Sequence, residues 1–137
     1  MKLCDETITV FNKRQDEATG YDIYIPTVIV GVSWFCEIAS SVDASGLKAA
    51  NKFTIRIPTD ADFSEKEYID PADYADSDVN TKFTLSNGDI IVKAAITEMG
   101  LKPIDLQKQF GEVVTILGVT DSRRKNVRAP HWKVVGT

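Results

Sequence analysis

The sequence predicts a mainly β protein: a small antiparallel barrel or sandwich with one or two short helices and long connecting loops. Three observations carry that reading. Apolar residues recur at every second position along most of the chain, the period of a half-buried strand. The dipeptide Asn87-Gly88 sits between two apolar runs, the strongest short-range hairpin cue. Helical spacing is confined to two short stretches, and proline lies near the start of each.

The elements follow in chain order. Residues 7–11 (TITVF) are β-branched and aromatic, and predict a first strand. In YDIYI, Tyr21, Ile23 and Ile25 alternate with Asp22 and Tyr24. In VSWFCEI, Val32, Trp34, Cys36 and Ile38 point one way and Ser33, Phe35 and Glu37 the other. Residues 40–52 (SSVDASGLKAANK) lose the alternation and read as a long connection. FTIRI restores it, with Phe53, Ile55 and Ile57 opposite Thr54 and Arg56. Residues 59–80 form a second long connection, containing a short helical turn at IDPADYADSD, where Asp70 can cap and Pro71 suits the first helical position.

A type I′ turn at Asn87-Gly88 would place Phe83 and Leu85 on the same face as Ile90 and Val92, and Lys82 opposite Lys93, a repulsive pair. LKPIDLQKQFG predicts a short helix with Leu106 and Phe110 one turn apart and Gly111 as a stop. Residues 113–119 and HWKVV predict the last two strands, with Trp132 and Val134 on the face opposite His131 and Lys133.

Length and composition bound the function classes. A chain of 137 residues is most simply one domain, 1–137, large enough for a core without metal or disulfide staples. Its 43% hydrophobic and 26% charged residues are ordinary globular values. No apolar run is long enough to span a bilayer, so no membrane partner is expected. The start, MKLCDETITVF, lacks the apolar core of a secretory signal, so an intracellular product is expected, with Cys4 and Cys36 as small buried or half-buried thiols.

Net charge is −4, unevenly spread. From Asp121 onward there are five basic residues against one acid, a surplus of four, which leaves residues 1–120 at −8. Residues 60–78 alone hold eight acids and a single base, Lys66. Such a body does not attract nucleic acid by its bulk charge.

The residues that carry chemistry are few. His131 is the only histidine and has no CxxC pair or second histidine to complete a zinc set. The acidic run DPADYADSD lacks the spacing and glycine of a calcium loop. No glycine-rich phosphate loop occurs. No catalytic residue, metal or cofactor is therefore expected, and His131 reads as structural or interfacial. Arg123, Arg124, Lys125 and Arg128 precede the last strand and admit three readings. They are phosphate contacts with Trp132 as a stacking platform, a solvated loop, or a docking loop for an acidic protein surface such as a neighbouring copy. Phe35 and Tyr24 lie on the otherwise polar faces of their strands and are candidate contact hydrophobes.

The run of GYDIYIPTVIVGVSWF, FTIRIP, FTLSNGDIIVKA and TILGVTDSRRKNVRAPHWKVVG resembles a family of small phage and prophage proteins of Gram-positive bacteria. Ala94 stands where that pattern carries glycine. The resemblance covers nearly the whole chain. It implies a non-enzymatic head–tail connector, head-completion or minor capsid protein that forms a ring at the portal–tail junction. The implied partners are further copies of itself, portal or adaptor, and tail proteins, with DNA passing through the channel without specific binding. The implied location is the bacterial cytoplasm when expressed from a prophage, and the virion after assembly. The rival expectation is a nucleic-acid-binding β barrel that uses the basic C-terminal loop.

Overall fold

Six strands close into an antiparallel barrel in the computed structural model of the chain, in the order β1-β2-β3-β8-β7-β6, with β6 pairing back onto β1. The strands are β1 (Glu6–Gln15), β2 (Asp22–Asp43), β3 (Gly46–Pro58), β6 (Ile90–Val92), β7 (Val113–Ser122) and β8 (His131–Gly136). A two-stranded parallel sheet, β4 (Glu67–Tyr68) and β5 (Lys82–Phe83), lies outside that ring. Helix is limited to α1 (Pro71–Tyr74) and α2 (Pro103–Gln109). The structure describes residues 6–15, 20–43, 46–74, 77–78, 80–97, 103–110, 113–123 and 130–137, and of 37–51 the backbone alone. A mainly β fold with two short helices is thus what the sequence predicts and what the chain adopts.

The barrel interior is filled by Ile8, Val10, Ile29, Val32, Ile55, Ile57, Ile91, Ile116, Trp132 and Val134, with Phe83 of β5 and Leu85 just after it closing in. A second cluster lies on the outside of the wall, where Phe11, Ile90, Val92 and Ile96 are covered by Leu106 of α2. This explains why β1 is buried without a break from Ile8 to Asn12 and β6 throughout. Both faces of these strands are covered, so burial is continuous rather than alternating, with the buried polar Thr9 and Asn12 of β1 hydrogen-bonded. Leu106 and Phe110 pin α2 as their spacing predicts.

Strand β2 carries two alternations of opposite parity, and a bulge reconciles them. Ile25, Thr27 and Ile29 are buried, then Val32. In the ladder with β1, Val30 faces Thr7 and Val32 faces Glu6, so Gly31 is the extra residue, at φ +97°. Glycine supplies that backbone without strain, and one inserted residue flips the inward set from odd to even positions.

Three expectations are corrected. Residues 40–52 are not a long loop: β2 and β3 pair without interruption from Ser33↔Arg56 to Asp43↔Gly46. The ladder is made by main-chain groups, so it needs no apolar alternation. The signal present was Asp43 and Gly46, which suit the first and fourth positions of a tight turn.

The second correction concerns Asn87-Gly88, which does not join a two-stranded hairpin. Strand β5 pairs in parallel with β4, while β6 pairs with β1 and β7. Residues 86–89 do turn, with Asp89 N donating to Ser86 O at 3.1 Å. Only Gly88 has positive φ (+92°), which is the type II rather than the I′ pattern. Accordingly Phe83 and Leu85 pack with Ile91, not with Ile90 and Val92. The third correction follows from this: Lys82 does not face Lys93. Lys82 binds Glu67 at 2.7 Å, and Lys93 lies 3.9 Å from Glu6.

The connection 59–80 is a lid on one end of the barrel. Val30 and Asp62 exchange backbone hydrogen bonds at 2.9 Å, and Phe63 and Tyr68 reach down onto the core. Pro71 opens α1, as its sequence position predicts.

Candidate functional site

At the lidded end, an aromatic cluster seals the barrel. Phe63 stacks on Phe83 with centroids 5.2 Å apart and meets the Trp132 ring edge-on at 5.9 Å, while Tyr68 tilts over Trp132 at 4.7 Å. The Arg123 guanidinium covers this cluster, 4.8 Å from the Trp132 ring and 5.0 Å from that of Tyr68. It grips the carboxylate of Asp121 through Nε (2.8 Å) and Nη2 (2.5 Å). Those hydrogen bonds hold the Asp121 carboxyl below the ordinary carboxylate range.

Arg123, one of the candidate interaction residues, is held within the chain. The end of β7 places it beside Asp121 and over two rings, so its charge is already matched within the chain. Arg124, Lys125 and Arg128 lie outside the described residues. Trp132 is 4% exposed and packs in the core, leaving no face for a base to stack on. Tyr24 is half-buried and packs against the outer cluster under α2. Phe35, by contrast, is 56% exposed. Cys36 is a free thiol that is exposed rather than buried or half-buried as expected, because it lies on β2 beyond the last β1 partner, Val32. Cys4 lies outside the described residues. His131 is half-buried at the start of β8, opposite Pro58 and Ser122.

The strand register brings together what the sequence left apart. Phe35 pairs with Thr54, Thr54 with Val135 and Val135 with Gly118, beside the exposed Leu117 of the β7 bulge. The next row on the same outer face runs Ser33, Arg56, Lys133, Thr120. Arg56 and Lys133 are therefore direct cross-strand neighbours of like charge, an unfavourable pair. Among the described residues neither is in an ion pair. The parity of FTIRI and HWKVV already turned both outward; the β3–β8 pairing, invisible in sequence, makes them neighbours.

The lid carries the opposite charge. Asp60, Asp62, Glu65, Glu67, Asp70, Asp73 and Asp78 are all exposed. Glu67 is matched by Lys82 and Asp70 lies within the field of the Arg123 guanidinium, whereas Asp60, Glu65 and Asp73 have no cation partner among the described residues. Lys66, the basic residue among them, turns inward. Its Nζ donates to Thr27 Oγ1 (2.9 Å) and Pro26 O (3.2 Å), and burial lowers its pKa. It lines a cleft of about 240 Å³ with Ile25, Val28, Ser64 and Ile96. Among the described residues no three His, Cys, Asp or Glu side chains are grouped to hold a metal.

One buried acid invites scrutiny. Asp89, 3% exposed, accepts from Asn12 Nδ2 (2.9 Å), Lys13 N (3.0 Å) and Ser86 N (3.2 Å). Desolvation nevertheless raises its pKa. Both oxygens are taken up by the fold, so it serves as a latch between β1 and the turn before β6. A raised folded-state value means that Asp89 contributes stability below the ordinary aspartate value of about 3.9. That contribution is lost as pH rises through the folded value. Carboxyl-carbon NMR should therefore show Asp89 titrating above the ordinary range, and a midpoint at or below it would contradict the burial described.

No curated protein and no solved structure matches the chain. One family model does, over residues 3–137, and with nearly every residue covered the chain belongs to the family of unknown function DUF6751.

Proposed function

We propose that this chain is a non-enzymatic phage or prophage structural protein, a head–tail connector, head-completion or minor capsid component. It assembles as a ring at the portal–tail junction with portal, adaptor and tail proteins. The observation that carries the reading is the β2–β3 ribbon. Strand β1 pairs with β2 only as far as Val32, and β8 pairs with β3 only as far as Phe53. Beyond them the seven pairs from Glu37↔Lys52 to Asp43↔Gly46 have no third strand among the described residues. At roughly 3.4 Å per residue the ribbon reaches on the order of 20 Å past the barrel.

A two-stranded ribbon is marginal alone in water, and its open edges are templates for another chain. Such an arm suits an assembly subunit better than an enzyme, whose chemistry would need convergent groups in a cleft. The resemblance to phage proteins supplies the biological setting. The rival reading, nucleic-acid binding through the C-terminal loop, is weakened by the pairing of Arg123 with Asp121. The test is to shorten the ribbon by replacing residues 39–50 with a two-residue Asn-Gly turn. The barrel should keep its circular dichroism spectrum, while induced lysogens yield at least about a hundredfold fewer tailed, infectious particles. Unchanged particle yield with a folded variant would overturn the reading.

A further inference from the structure

We propose that the outer face of β3 and β8, centred on Arg56 and Lys133, docks the acidic lid of a second copy of this chain. The inference deepens the assembly reading above and rests on it. Its starting point is an electrostatic imbalance. Two cations are held side by side by the β3–β8 register, and no acid among the described residues neutralises either. On the solvent-facing side of a sheet, like charges directly opposite are destabilising, and a neighbouring anion removes the penalty. The lid of the same chain offers Asp60, Glu65 and Asp73, exposed and likewise without an ion-pair partner among the described residues.

The two sets occupy different parts of one subunit, the barrel wall and the lid. Their pairing is therefore heterologous: the wall of one copy meets the lid of the next, the geometry that generates rings or filaments. Phe35 and Leu117 flank the cationic pair, 56% and 58% exposed, and provide apolar surface that a neighbour can bury. Charge steers and registers such a contact, and the flanking hydrophobes hold it. A nucleic-acid strand would find the same cations and the same exposed phenylalanine. It would also meet a subunit of net charge −4 with seven exposed acids on its lid, so the second copy is the better electrostatic match.

The experiment is a charge swap on the intact chain, read by sedimentation velocity at low and high salt. The wild type should self-associate, more weakly as salt rises. The double variant Arg56→Glu/Lys133→Glu should lose that association by at least about tenfold, with an unchanged circular dichroism spectrum. The lid variant Asp60→Lys/Glu65→Lys avoids the helix cap and should also fail alone. Mixing the two variants should restore association, because each wall then meets an oppositely charged lid on the other variant. Restoration identifies the pair of surfaces, which a merely destabilised variant cannot imitate.

Wild-type self-association that survives both swaps would overturn the inference while leaving the assembly reading in place. A wild type that stays monomeric at millimolar concentration would also overturn it, and capture by the phage's portal would then separate the two readings. Binding of a fluorescent 20-nucleotide single strand that is lost in Arg56→Glu/Lys133→Glu, without self-association, would overturn it in favour of phosphate.

Discussion

Replacing Trp132 with alanine should cost about 3–5 kcal/mol and lower the unfolding midpoint by on the order of 10 °C or more. The ring is 4% exposed and lies at the junction of three parts of the chain: the lid through Phe63 and Tyr68, the end of β7 through Arg123, and the barrel core. Its removal leaves a cavity under the lid that Phe63 and Tyr68 fill only by moving. The expected signature is therefore double, a loss of global stability in thermal or denaturant unfolding and a faster backbone amide exchange in residues 59–70. A midpoint within a degree or two of the wild type would show that the lid does not depend on this ring.

The second large effect is expected at Asn12. Its side chain is fully buried in β1, donates to Thr84 O at 2.5 Å and to Asp89 Oδ2 at 2.9 Å, and accepts from Thr84 N at 3.2 Å. This one amide satisfies both backbone groups of Thr84, which lies outside the barrel ladders, and orients the carboxylate that caps the 86–89 turn. Asn12→Ala leaves those groups buried without partners, at about 2–3 kcal/mol. Denaturant unfolding checks the magnitude. Asn12→Asp separates charge from shape: it sets a second carboxylate against Asp89 and should be at least as damaging near neutral pH, recovering as pH falls.

Much of the fold was legible because burial leaves a period. The alternation in FTIRI and HWKVV sorted inward from outward residues correctly, and Pro103 with Leu106 and Phe110 marked α2. What was illegible depended on pairing partners. Gly31 reads as an ordinary residue between two alternating runs until the β1–β2 register shows it as the bulge that changes their parity. Asn87-Gly88 turns the chain, but only the neighbours of β6 reveal that β5 is not its hairpin mate. The β2–β3 ribbon was missed because its ladder is made by main-chain hydrogen bonds, which leave no period of their own in the sequence.

The same distinction governs the candidate surface. The basic residues near the C-terminus attracted attention as a run, yet Arg123 is matched by Asp121, two positions away in sequence, and lies over the Trp132 ring. Arg56 and Lys133 stand 77 positions apart and become a pair only through the β3–β8 register. A local excess of charge says less about a binding face than an unmatched charge held in place by a ladder.

On the proposed reading the chain is a component of an assembled phage particle, present in several copies. That reading is tested most directly by quantitative mass spectrometry of gradient-purified virions induced from a lysogen that carries the gene. This chain is expected in the particle at a ring-like copy number, comparable to that of portal subunits. Purified, infectious virions that contain none of it would contradict the account.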